Sequence, residues 1–173
     1  MEIEQAFVAL PMSDGTTSIM GVVTQGRGDR LPGGAEWISE GWWRREATTA
    51  NINDELGRTF GPLADPKPLS FHVVKREDIP VDRTYRNALR HDGTAFTHDM
   101  EHARRLHLDL VRQERDAQFP ALDVAWMKAV GKGDTKAAAE VEAKRQALRD
   151  LPETLAPAIE AARTTDELKL VAG

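Results

Sequence analysis

The sequence predicts an α+β protein, with a small N-terminal α+β unit containing a β-hairpin followed by a C-terminal α-helical hairpin. Three observations lead there. Two short apolar runs flank an Asp-Gly turn within the first 24 residues, a helical apolar period dominates from Asp99 onward, and Gly131-Lys132-Gly133-Asp134 divides that helical stretch in two. The expected layout is an α+β unit over 1–80, a connector over 81–98, and a helical hairpin with a short terminal helix over 99–173.

The first hairpin is expected from residues 6–12 and 17–24, joined by Ser13-Asp14-Gly15-Thr16, because glycine supplies the positive φ of a tight turn. Gly26 to Gly34 is rich in glycine and polar, and reads as an exposed loop. Its spacing matches neither phosphate-cradling glycine motif. Trp37, Trp42 and Trp43 then fall within seven residues. They read as packing for a small domain or as a partner-docking patch, since indoles supply large contact area in both settings. From Thr48 to Phe60, Ile52, Leu56 and Phe60 recur every four residues on one helical face, and Gly61-Pro62 stops the helix. Asp65-Pro66-Lys67-Pro68 is a stiff connector, and residues 69–74 alternate as a strand does.

Asp99 is placed to cap a helix running to about Phe119, with Met100, Ala103, His107, Leu110 and Ala117 near one stripe. Pro120 either kinks one long helix or opens a second, because proline lacks the donor an interior position requires. Asp134 opens the next helix, expected to end at Pro152. Packing between the two is expected through Leu110, Leu122, Trp126, Val141 and Leu148. Thr164-Thr165-Asp166-Glu167 signals a short final helix.

Composition narrows the chemistry. The 173 residues contain no cysteine, which excludes disulfides, thiolate metal sites and a cysteine nucleophile. Basic and acidic residues stand at eight against twelve over 1–81 and fifteen against sixteen over 82–173, giving the formal net charge of −5. Neither half resembles a phosphate-binding surface, so no nucleic-acid partner is expected. No apolar run approaches a membrane span, and the first residues lack the basic flank and apolar core of a signal peptide; no membrane partner is expected.

The sharpest motif by letter is His98-Asp99-Met100-Glu101-His102, which fits the H-x-x-E-H zinc-hydrolase pattern, with His98 and His102 as ligands and Glu101 as base. His98 precedes the expected cap, however, and a third ligand would have to come from His91, His107 or a carboxylate, so no metal or other cofactor is assigned. None of the serines 13, 18, 39 and 70 lies in a nucleophile elbow, and no catalytic residue is assigned.

Asp82-Arg83-Thr84-Tyr85-Arg86-Asn87-Ala88-Leu89, with Val74 to Pro80 before it, resembles a linker-and-cap block of small tail-module proteins of tailed bacteriophages. Asp99 to Arg104 with His107, Ala121 to Val130, Lys144 to Pro152 and Thr165 to Lys169 follow in the same order. The Lys144 to Pro152 block is also similar to the ending of phage tail assembly chaperones and tail-fibre assembly proteins. The resemblance spans a little over half the chain, about residues 78–171. It implies a non-enzymatic structural or assembly protein of the tail tip, baseplate or tail fibre. Its partners would be other tail proteins or further copies of itself, in the virion tail and, during assembly, in the host cytoplasm. A chaperone absent from the mature particle is the alternative it implies, and a small metallohydrolase is the rival from another class. Trp37, Trp42, Trp43, Arg83, Tyr85 and Arg86 are the candidate partner-binding residues. For the block at 82–89 two readings stand: it clamps the two units together, or it presents Tyr85 and an arginine to a partner.

Overall fold

A computed structural model describes residues 2–171 and divides the chain into two compact units, Met1–Thr97 and His98–Gly173. The α+β class is as the sequence predicts. In the first unit, β1 (Glu4–Pro11) and β2 (Thr17–Arg27) form the hairpin that the Asp-Gly turn announces. Asp14 Oδ1 accepts hydrogen bonds from the Thr16 amide at 2.9 Å and its hydroxyl at 2.6 Å, which holds the Asp14 carboxyl below the ordinary carboxylate range.

Two further strands were not legible in advance. β3 (Ala35–Ser39) and β4 (Trp42–Arg45) make a second hairpin, and with β5 (His72–Val74) they complete an antiparallel sheet of order β3-β4-β2-β1-β5. Gln25, 3% exposed, helps tie the sheet together. Its Nε2 donates to the Glu2 carbonyl at 2.8 Å, and its Oε1 accepts from the Arg44 guanidinium at 2.9 and 3.1 Å.

Strand β1 lies inside the sheet between β2 and β5, and its pleat separates two faces. Val8, Leu10 and Met12 form a buried cluster with Val22 and with Ile52 of α1 (Thr49–Phe60). Leu56, Phe60, Met20 and Phe71 pack around it, so the helical stripe read from the sequence is the stripe that meets the sheet. Thr48 caps α1 by accepting from the Asn51 amide at 3.3 Å, and Gly61 ends it. Ala9 points to the opposite face and is fully buried; it stands opposite Ile19 on β2 and His72 on β5. A two-stranded ribbon of β6 (Leu89–His91) and β7 (Phe96–His98) reaches this face, its His91 ring lying 5.1 Å from that of His72.

The stretch 81–98, expected as a connector, therefore holds regular structure, and 81–97 belongs to the first unit. The reason is local: Asp92-Gly93 repeats the turn chemistry of Asp14-Gly15. Asp92 Oδ1 accepts from the Thr94 and Ala95 amides at 2.8 and 2.9 Å.

The second unit is a helical hairpin. Helix α2 (Met100–Gly131) continues through Pro120, and α3 (Thr135–Ala161) continues through both Pro152 and Pro157, so the expected stop at Pro152 does not occur. Asp99 and Asp134 cap the two helices, accepting from the His102 and Ala137 amides at 3.0 Å each. Cross-helix contact centres on Arg145, whose Nη2 lies 2.9 Å from Asp123 and whose guanidinium sits 5.6 Å from the Trp126 ring centre. At the open end, Arg104 donates twice to the Ala162 carbonyl, at 2.8 and 3.2 Å, satisfying the last turn of α3. Helix α4 (Thr165–Leu170) folds back with Leu168 fully buried, and His107 Nε2 donates to the Val171 carbonyl at 2.8 Å.

The five residues expected to form the hairpin's core are only half-buried. Two helices alone shield one side of each other, so full burial falls on Ala103, His107, Val111, Ala129, Pro152 and Ile159 instead.

Ile52→Ala should cost about 2–5 kcal/mol, since it empties the centre of the β1–α1 contact; equilibrium denaturation measures it. Pro120→Ala should act oppositely, because the exposed ring removes an interior helix donor. A gain of up to about 3 kcal/mol is expected in the unfolding of the helical unit.

Candidate functional site

The candidate site is the tryptophan hairpin β3–β4, which gives its three indoles three different environments. Trp43 is buried at 8% exposure and pairs across the sheet with Gly26. That glycine is essential to the fit: a Cβ there would lie 2.7 Å from Trp43 Cζ2. Gly26 is consequently part of β2 and buried, although the sequence suggested an exposed loop from this residue onward.

Arg45 lies two residues beyond Trp43 on the same face, its guanidinium carbon 5.8 Å from the indole centre. The side chain is 3% exposed, and such a charge needs partners. Its Nε donates to the Val23 carbonyl at 2.9 Å and its Nη2 to Glu55 of α1, also at 2.9 Å. This ion pair fastens the second hairpin to α1 and gives the site a firm base.

Trp42 is half-buried opposite Arg27. Trp37, by contrast, is 45% exposed on β3, which is an edge strand, and Ile38 beside it is 36% exposed. The Trp37 ring lines an open groove of about 850 Å³ with Arg27, Asp29, Ser39, Glu40 and the backbone of Gly28 and Gly41. Gly28 donates to the Gly41 carbonyl at 3.0 Å, joining the two loops that form the floor. An exposed indole ringed by charged groups on a braced hairpin is suited to binding.

The other candidates fall elsewhere. Tyr85 is 2% exposed within the first unit, which removes the ring from any docking surface. Asp82 Oδ1 accepts from the Thr84 amide at 2.8 Å and hydroxyl at 2.7 Å, turning the chain so that Tyr85 enters the interior while Arg83 and Arg86 remain exposed. His98 ends β7, ahead of the Asp99 cap, whereas His102 lies in the first turn of α2, so the H-x-x-E-H letters do not share a helical face. Glu101 pairs with Arg105 at 3.3 Å, and among the described residues no three His, Asp or Glu side chains form a metal-holding group.

Sequence reasoning missed the β3–β4 pairing, for which Glu40-Gly41 between the tryptophans was the available turn signal, and the His72–His91 contact, for which Asp92-Gly93 was. No family model, no curated protein and no solved structure matches the chain.

Gly26→Ala should displace the Trp43 indole, lowering stability by about 1–3 kcal/mol as overpacking does. Red-shifted tryptophan emission together with a lower denaturation midpoint would be the expected signature.

Proposed function

We propose that this chain is a non-enzymatic protein-binding module that serves as a structural or assembly component of a bacteriophage tail and docks on its partner through the β3–β4 hairpin. The observation that carries the docking part is Trp37. A large indole stands nearly half exposed on an edge strand while its neighbour Trp43 and the buried Arg45–Glu55 pair hold that strand's partner in place. Binding hot spots are typically aromatic residues on a base that does not have to order itself on association. The assignment to a phage tail rests on the ordered blocks between 78 and 171 and on nothing in the groove. In this reading the helical hairpin, with Val124, Met127 and Val130 exposed on α2, supplies contacts to further tail subunits.

Quantitative mass spectrometry of purified particles tests the assignment: a fixed copy number per virion is expected, and absence from particles with presence in assembly intermediates would favour the chaperone form. For the docking surface, Trp37→Ala is expected to leave the melting temperature within about 2 °C of the parent, as surface changes do. Incorporation into particles should nevertheless fall at least tenfold, the usual loss on truncating a hot spot.

A further inference from the structure

The contact between β5 and the β6–β7 ribbon is made by two histidines, and the hydrogen bonding of one of them makes it sensitive to acid. His91 is 9% exposed; its ring lies 5.1 Å from His72 and edge-on to Phe96 at 4.7 Å. Its Nδ1 accepts a hydrogen bond from the Gly93 amide at 3.1 Å, so the neutral ring carries its hydrogen on Nε2. Adding a proton places it on Nδ1, where it meets the Gly93 N–H head-on and two donors face each other. Gly93 holds a φ of +100° in the turn that Asp92 fixes, and a Cβ on it would be in ordinary van der Waals contact with the His72 ring at 3.4 Å.

We propose that His91, Gly93 and His72 form an acid-sensitive latch that holds the β6–β7 ribbon on the sheet at neutral pH and releases it in mild acid. The surroundings offer the protonated ring little compensation. β5 contributes His72; the turn after it contributes Lys75 and Asp78, which line with His91 and Thr94 a cavity of about 470 Å³. Asp92 is the adjacent acid, but its Oδ1 is committed to the Thr94 and Ala95 amides, while the Arg90 guanidinium donates to the Asn87 and Leu89 carbonyls. Across the sheet, β1 and β2 present only Ala9 and Ile19 at this level. Burial first, and then the charge of His72, hold the His91 pKa below its ordinary 6.5, against a smaller upward pull from Asp92. The released ribbon therefore binds the proton more tightly than the latched one. Latching is at full strength above pH 6.5 and weakens as pH falls through and below it, by up to about tenfold per pH unit for the single His91 proton.

The test is amide hydrogen exchange on the full chain between pH 8 and 5, corrected for intrinsic exchange rates, with the His91 tautomer read from its ring nitrogen shifts. Protection at Leu89, His91 and Gly93 should fall steeply below pH 6.5 while Val8 and Val22 stay protected, and Nε2 should carry the hydrogen at pH 8. His91→Asn keeps an acceptor for the Gly93 amide but does not titrate, so it should abolish the acid-dependent loss. Ribbon protection that is flat across this range, a core that opens in step with the ribbon, or a hydrogen on Nδ1 at pH 8 would overturn the latch. These wild-type readouts decide the matter even if the variant fails to fold.

Discussion

The pairing of β1 with β2 is the constraint on which the N-terminal unit depends. With β2 on one side and β5 on the other, β1 has no free edge, and Val8, Ala9 and Leu10 are fully buried on alternating faces. A strand covered on both faces needs two separate lids. Helix α1 is one, meeting Val8, Leu10 and Met12; the β6–β7 ribbon is the other, reaching the face of Ala9 through His72 and His91. A one-residue slip of β1 against β2 would exchange these faces and put the wrong side chains under each lid. The tight Asp14-Gly15 turn and its paired hydrogen bonds set the register from which the rest follows.

The two lids differ in character. The α1 side is built on the apolar cluster of Val8, Leu10, Met12, Val22 and Ile52 and on the Arg45–Glu55 pair, whose guanidinium also donates to the Val23 carbonyl and lies 5.8 Å from the Trp43 ring centre. The ribbon side places two imidazoles in contact, and an imidazole is neutral only above its pKa. The ribbon side thus carries a titratable joint at His91. The tryptophan hairpin belongs to the first system: Arg45 couples it to α1 through Glu55, and pairing with β4 holds the edge strand that carries Trp37.

The helical unit follows another logic. Its two long helices meet along one seam, and its ends are tied by further contacts: the Asp99 and Asp134 caps, Arg104 on the Ala162 carbonyl, and the buried Leu168 of α4. Arg145 sets the register through Asp123 and Trp126, which brings Pro152 of α3 within about one turn of the level of Pro120 on α2. Glu142, bonded to Arg149 and Arg145, is held below the ordinary carboxylate range by those guanidinium groups and adds to the same polar cluster on α3.

The sequence by itself determined whatever depends on residues a few positions apart. The Asp-Gly turn, the caps at Asp99, Asp134 and Thr164, the apolar stripe of α1 and the helical hairpin were all legible, because a side chain capping an amide three residues on needs no knowledge of the rest of the chain. Only the tertiary structure decided that Gly26 makes room for Trp43, that Tyr85 is buried while Trp37 is exposed, that His91 meets His72, and that three prolines lie inside helices rather than at their ends. Each of these joins residues distant in sequence or depends on burial set by a neighbouring element. Strand partners are chosen by which faces complete a common core, and a long helix absorbs the one hydrogen bond a proline removes, at the buried Pro152 and at the exposed Pro120 and Pro157 alike.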